Sequence, residues 1–257
     1  MEEKKKVILT GALFILIVVA VVLIYYLVTH KKSSDVPETL EIIEEEPVKL
    51  PEKEKSESEL IEPLNVTMEE SDKVLRDFLG DISSDPRLSE WMRMDHIIKS
   101  FVAAVDNIAN GLSPRKQVNF FEPKGEFLAE KKGEHYIIDE DSYKRYDPVA
   151  NVFDSINTNE SVILYHRFKP LIQKAYEELG YPDKDFDNTL KRAIKELLAV
   201  PVLEEEIVLI SKLKSFELYD SELEGLSQAQ KHLFRMGPEN IRKIQQKLRE
   251  LYEELND

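Results

Sequence analysis

The sequence predicts a mainly α-helical protein: a compact multi-helix domain with a small β-hairpin or short antiparallel strands, preceded by one transmembrane helix and a disordered tether. Three observations point there. Residues 7–28 run for 22 positions without a charge. Residues 33–66 are acidic and lack a sustained apolar period. From Thr67 onward, apolar residues recur mostly at helical spacing between N-cap residues, glycines and prolines.

At ~1.5 Å per residue, Val7–Val28 is long enough as a helix to cross a hydrocarbon core of ~30 Å. A cleavable signal peptide has a shorter apolar region and a small-x-small site, and no such site follows the run. Lys4, Lys5 and Lys6 precede it and Lys31 and Lys32 follow, which favours residues 1–6 as a cytoplasmic N-terminus by one lysine. Residues 29–66 then read as an acidic, proline-containing linker. Its stretch 33–66 carries 11 acids, three lysines and four prolines, a composition that repels itself and cannot bury a core. Residues 67–257 read as a single helical soluble domain.

Thr67 and Glu70 predict a capping box, with Val74, Leu75, Phe78 and Leu79 at helical spacing before Gly80 ends the segment. Asp85-Pro86 opens a second helix. Asp95 is the expected cap of a third, in which Ile97, Ile98, Phe101, Val102, Val105, Ile108 and Ala109 form a broad apolar face, with Gly111 just past its end. Between Phe120 and Ile138 the helical period is lost. Phe127-Leu128-Ala129 and Tyr136-Ile137-Ile138 flank Lys132-Gly133 as a hairpin.

A helix is expected from near Tyr143 to about Ile156. The next, Ser161 to Leu179, contains Pro170, which predicts a kink. Asp187 to Ala199 is amphipathic and stops at Pro201. Ile207 to Leu218 mixes β-branched and aromatic residues and suits one or two short strands. Ser227 caps a helix to Met236, Gly237 breaks it, and Pro238 opens a last helix to about Leu255. There Ile241, Ile244, Leu248, Leu251 and Leu255 match either a face on the domain's own core or a short coiled-coil seam.

Composition excludes several functional classes. The chain has no cysteine, hence no disulfide, thiolate metal site, Fe–S cluster or cysteine nucleophile. With 35 Lys+Arg against 50 Asp+Glu the net charge is −15, the wrong sign for nucleic acid. Taking off +3 for residues 1–32 and −8 for residues 33–66 leaves −10 for the domain.

No metal site is predicted: His30, His96, His135, His166 and His232 lack ligand-type pairing. Asp183, Asp185 and Asp187 copy the first positions of a calcium loop, but Asn188 and Ile194 stand where Gly and Glu are needed. Asp185 or Asp187 is better used as a helix cap. Gly225-Leu226-Ser227-Gln228-Ala229 lacks the second glycine of a nucleophile elbow, and phosphate-cradling glycine loops are absent. No catalytic residue and no cofactor are therefore predicted, and an enzyme is the less favoured class.

Three segments place polar residues beside apolar ones. In FVAAVDNIANG (101–111), Asp106 and Asn107 follow a core-facing run, where an acid near a helix C-terminus needs a cationic or hydrogen-bonded partner. In YKRYDP (143–148), Arg145 lies between Tyr143 and Tyr146 and ahead of Asp147, within reach of stacking and of an ion pair. In QKHLFRMGPEN (230–240), Arg235 precedes a helix–Gly–Pro–helix corner and Asn240 sits in the following first turn. For each segment a structural role, in which buried Asp and Arg satisfy one another and the corner, is the favoured reading, and as a ligand or partner surface these six are the candidate residues. Arg145 and Arg235 are expected to be at least partly buried and paired with acids, Asp106 and Asp147 first.

Through these segments, together with YHRFKPLIQKAYEELGYP, IKELLAVP and AQKHLFRMGPENI, the chain resembles from about Glu69 to about Leu251 an uncharacterised bacterial family of single-pass membrane proteins classed as a domain of unknown function. Lys99 and Val200 depart from the family pattern, where arginine and threonine are expected. The resemblance implies an inner-membrane anchor with the domain in the periplasm, and it implies no activity. It also singles out Asp106, Asn107, Arg145, Asp147, Arg235 and Asn240, which match the family pattern.

The function expected is that of a non-enzymatic envelope interaction or scaffold protein, recruiting an unidentified envelope protein and held to the membrane through Val7–Val28. The alternative is a periplasmic binding protein or hydrolase for a small ligand or cell-wall fragment, using a polar Arg/Asp/Tyr pocket. A concavity gathering those residues would favour the alternative.

Overall fold

Capping chemistry sets where the helices begin. The computed structural model describes residues 61–213 and 215–256. Helix α1 (Met68–Asp77) opens on the predicted capping box: Thr67 Oγ1 accepts from the Glu70 amide at 3.3 Å, and Glu70 Oε2 accepts from the Thr67 amide at 3.2 Å. Gly80 does not end the segment; it lies inside a four-residue helix, α2 (Leu79–Ile82). Helix α3 (Pro86–Trp91) follows its Asp85 cap. Helix α4 (Ile97–Ala109) departs from expectation at its start. Its N-cap is His96, at φ 59°, and the orphan amides of His96 and Ile97 are taken by the carboxylate of Asp72 in α1, at 2.6 and 2.9 Å, rather than by Asp95. Its end matches the prediction: Gly111 adopts φ 69° and the Leu112 amide reaches the Asn107 carbonyl at 2.8 Å, a Schellman closure.

Strands β1 (Ala129–Lys132) and β2 (His135–Ile138) form the hairpin, with Gly133 at φ 66° in its turn. The helix expected from Tyr143 to Ile156 is two: α5 (Glu140–Lys144) and α6 (Asp147–Asp154), broken at Arg145–Tyr146. Pro148 suits the break, since it has no amide to donate to the Lys144 carbonyl four residues back and is tolerated in the first turn of a helix that starts anew. Helix α7 (Thr158–Glu178) runs through Pro170 as one 21-residue element, capped by Asn157. Helix α8 (Phe186–Leu198) is capped by Asp185.

Strands β3 (Val208–Ser211) and β4 (Phe216–Leu218) extend the hairpin into a four-stranded antiparallel sheet in the order β1-β2-β3-β4. Leu209 stands opposite Tyr136, and Val208 opposite Ile137. The short α9 (Ser221–Glu224) has no counterpart in the sequence reading. Helix α10 (Gln228–Phe234) opens on a second capping box, Ser227 with Gln230, and α11 (Pro238–Glu254) follows the Gly237 corner.

The apolar side chains fall into two clusters that meet along α8. One joins α8 with the sheet, α10 and α11 through Ile194, Leu209, Leu218, Phe234, Ile241, Ile244 and Leu248. The other joins α8 with α4 and α7 through Ile98, Val102, Phe168, Ile172, Tyr176 and Phe186. Gln245, only 2 % exposed, donates to the carbonyls of Leu197, Leu198 and Val200 and so satisfies the C-terminal end of α8. Helix α11 thus lays its apolar stripe on its own domain. Leu64 and Val66, in the stretch read as linker, pack against the second cluster, and the Leu64 amide donates to the Arg167 carbonyl at 2.9 Å.

The fold class needs one correction. The run Val7–Val28 lies outside the described residues, as does most of the linker. Among the described residues no helix is long and apolar enough to cross a membrane. Helix α7 has the length, but Glu160, Arg167, Lys169, Lys174, Glu177 and Glu178 charge its flanks. The architecture observed is a mainly helical domain with a four-stranded antiparallel sheet.

Candidate functional site

The six residues singled out by sequence do not converge. Asp106 is 9 % exposed, and its partner is hydrogen-bonded rather than cationic. Asn110 Nδ2 donates to its carboxylate at 3.2 Å and to its carbonyl at 2.8 Å, and the Tyr181 hydroxyl donates at 3.4 Å. That carboxylate raises the Tyr181 hydroxyl above its ordinary pKa. Asn107 Nδ2 donates to Gln117 at 3.1 Å, tying the loop after α4 back to the helix.

The second and third segments do meet, as a structural joint. Asn240, 3 % exposed, donates through Nδ2 to the carbonyls of Tyr143 and Met236 and to Asp147 Oδ1, at 3.0–3.1 Å. The Tyr143 ring lies against Gly237, where a Cβ would stand 2.5 Å from Tyr143 Cγ. Burial, helped by Glu140, pushes the Tyr143 hydroxyl up to about 12.

Both arginines correct the expectation of buried ion pairs. Arg145 is half-buried, yet its guanidinium donates to the carbonyls of Ser142 and Gly125 and faces Phe127 at 5.8 Å and Tyr146 at 5.7 Å. Backbone carbonyls and ring faces satisfy it where a carboxylate was expected. Arg235 is exposed, and its charge helps hold Glu224 and His232 below their ordinary values. Among the described residues neither arginine forms a salt bridge. Among the described residues, none of these six lines either of the two cavities that the fold forms around α7 and α8.

What the fold does build is an apolar cleft of about 460 Å³. Its walls come from α1 to α4, the loop at Gln117–Phe121, α7, α8 and the end of α11. Phe101, Ile108, Phe121, Phe168, Leu190 and Leu255 are among them, and no wall residue is charged. Sealed and empty, such a space would cost on the order of 10 kcal/mol at ~24 cal/mol per Å³, comparable with a domain's entire stability of ~5–15 kcal/mol.

A polar cluster adjoins the cleft. Asp187, near the start of α8, accepts from the Tyr165 hydroxyl and from Lys169 Nζ, the latter at 2.6 Å. Burial pushes its carboxyl up, but these two hydrogen bonds outweigh burial and hold it below its ordinary value. Burial first, and the Asp187 bond second, raise the Tyr165 hydroxyl far above its ordinary value. Burial, then Lys169, lower His166. His166 Nε2 is buried with no hydrogen-bond partner among the described residues. A second, small cavity of about 10 Å³ is lined by Tyr165, His166, Asp187, Leu190, Lys191 and Leu255, and Tyr165, Leu190 and Leu255 are walls of the large cleft as well. Sequence reasoning missed this cluster. Its only signals were the Tyr165-His166 pair one turn before Lys169, and an aspartate weighed solely as a cap or a calcium ligand.

Among the described residues no group of three or more His, Asp or Glu is placed to hold a metal ion. A family model described as "Protein of unknown function (DUF3014)" matches residues 97–252, more than half of the chain. The chain belongs to the DUF3014 family. The DUF3014 match starts at Ile97, the first residue of α4, later than the resemblance from Glu69 suggested, and it takes in all three singled-out segments and the Tyr165–Asp187 cluster. Curated proteins and solved structures give no match.

Proposed function

We propose that this domain is a non-enzymatic binding module of the cell envelope whose working surface is the apolar cleft. The observation that carries this is the cleft itself: about 460 Å³, within the ~300–1,000 Å³ usual for ligand sites, with Ser100, Gln117, Ser161 and Tyr165 the only polar residues among its walls. Such walls offer burial of apolar surface and little else. The polar Arg/Asp/Tyr pocket of the alternative reading finds no support, because neither cavity is lined by Asp106, Arg145, Asp147 or Arg235. Placement on the periplasmic side of the inner membrane rests on the sequence: the uncharged run of residues 7–28, three lysines before it against two after, and the lack of cysteine. A periplasm-dependent reporter fused after Asp257 is expected to be active.

The cleft reading is tested on the purified full chain with the neutral apolar dye N-phenyl-1-naphthylamine. Dye fluorescence should rise on binding. The emission of Trp91, the sole tryptophan, should change too, because its ring meets the cleft residue Phe121 edge-on at 4.9 Å. Ser100→Phe, which adds bulk at a cleft wall, should abolish both signals with an unchanged melting curve. Absence of dye binding by the wild-type chain would reject the cleft as a binding site.

A further inference from the structure

Resting on the cleft as the working surface, we infer that its ligand is a long-chain fatty acid, with the acyl chain in the apolar cleft and the carboxylate at the Tyr165–His166–Lys191 end. Three observations favour this class.

The first is geometry. The large and small cavities share Tyr165, Leu190 and Leu255 as walls, so a polar cavity adjoins one end of the apolar cleft. A flexible acyl chain can follow walls drawn from this many helices. An extended peptide would set backbone amides and carbonyls against walls that offer almost no partners.

The second is charge. The polar end holds Lys169, Lys191 and Asp187, with Lys169 already paired to Asp187. Among the described residues Lys191 makes no ion pair, which leaves one positive charge over in a domain whose net charge is −10. That charge is placed to receive one anionic group.

The third is an unmet hydrogen bond. His166 Nε2 has no partner among the described residues, and with its proton on that nitrogen a neutral imidazole donates to a carboxylate oxygen. The small cavity, about 10 Å³, suits a group the size of one water. That size suits a carboxylate oxygen better than a bulkier phosphodiester, which favours a free fatty acid over a phospholipid headgroup.

The test uses the purified full chain with palmitate, methyl palmitate and a lysophosphatidylglycerol, each measured by displacement of the neutral dye and, for palmitate, by photo-crosslinking of a diazirine-bearing analogue. Palmitate should displace the dye and crosslink to cleft residues. Methyl palmitate, and palmitate on Lys191→Glu, should bind at least about 10-fold more weakly, the scale of a lost hydrogen bond to a charged group. Dye binding should be unchanged in Lys191→Glu, which also shows that the variant folds. Lys191→Met should give an intermediate loss.

Dye binding without displacement by palmitate would overturn the fatty-acid assignment and leave the binding-module reading intact. Equal binding of palmitate and its methyl ester would overturn the head-group assignment. Preference for the lysophospholipid, or crosslinking in cells to a partner protein at the cleft instead of lipid occupancy, would each replace the proposed ligand.

Discussion

Asn240 shows how much structural weight one amide carries. Its Nδ2 serves two backbone carbonyls and a carboxylate across the joint between α5, α6 and α11. In Asn240→Ala these partly buried bonds are lost and the packing of a side chain 3 % exposed goes with them, and the cost is expected to be ~1–3 kcal/mol, measured by urea unfolding. Arg235→Ala is expected to stay within about 0.5 kcal/mol of wild type, as an exposed side chain away from packing does. The two residues lie five positions apart in one motif and looked alike in the sequence. Residue types announce hydrogen-bonding capacity, but the partner that uses it is set by the fold. Asp106 could be read as needing a partner from its place near a helix end; that the partner is Tyr181 and Asn110 could not. For Arg145, neighbouring tyrosines and an aspartate suggested stacking and an ion pair, whereas the distant Gly125 carbonyl and Phe127 ring share the role with Tyr146.

Where contiguous residues decide an element, the sequence was legible. The Thr67–Glu70 capping box, the Ser227 cap, the Asp85-Pro86 start, the Gly111 closure and the Gly237-Pro238 corner all act within a few positions. The cap of α4 was not legible, because its acceptor, Asp72, belongs to another helix. At the Gly237 corner, φ is 84° and the Tyr143 ring occupies the space a methyl would need. Gly237→Ala is therefore expected to cost ~2–4 kcal/mol, from backbone strain and overpacking together, as read by the loss of thermal or urea stability. For α11, sequence spacing left a core stripe and a coiled-coil seam both open, and burial of Ile241, Ile244 and Leu248 at 1, 3 and 7 % exposure favours the core. Leu248→Ala is expected to lower stability by ~2–5 kcal/mol with no change in solution mass by light scattering.

For the whole molecule, acid should be the vulnerable direction. His166 and His232 are both lowered from their ordinary values, chiefly by burial. Each binds its proton more readily unfolded, near the usual ~6.5, so its contribution is present above that pH and lost as pH falls through the folded value. The depressed Asp187 adds a second loss, which sets in as pH falls below the usual carboxylate range and through its own folded pKa. The melting temperature should fall in two stages on acidification, and His166→Phe should reduce the first. The cleft was the feature least visible in the sequence. The apolar faces that line it read as ordinary core positions, since periodicity shows which face is apolar and not whether another element covers it. The sheet has a consequence in time. Its two hairpins are local and can close in ~1–10 μs. Their junction rests on two residue pairs, Tyr136 with Leu209 and Ile137 with Val208, across roughly 70 intervening residues whose loop-closure entropy opposes the pairing. The sheet should therefore knit late, after α7 and α8 have packed. In pulse-labelled hydrogen exchange, the Ile138 amide, bonded to the Ile207 carbonyl across that junction, should gain protection after the amides of α8, making the seam between hairpins the last part of the domain to close.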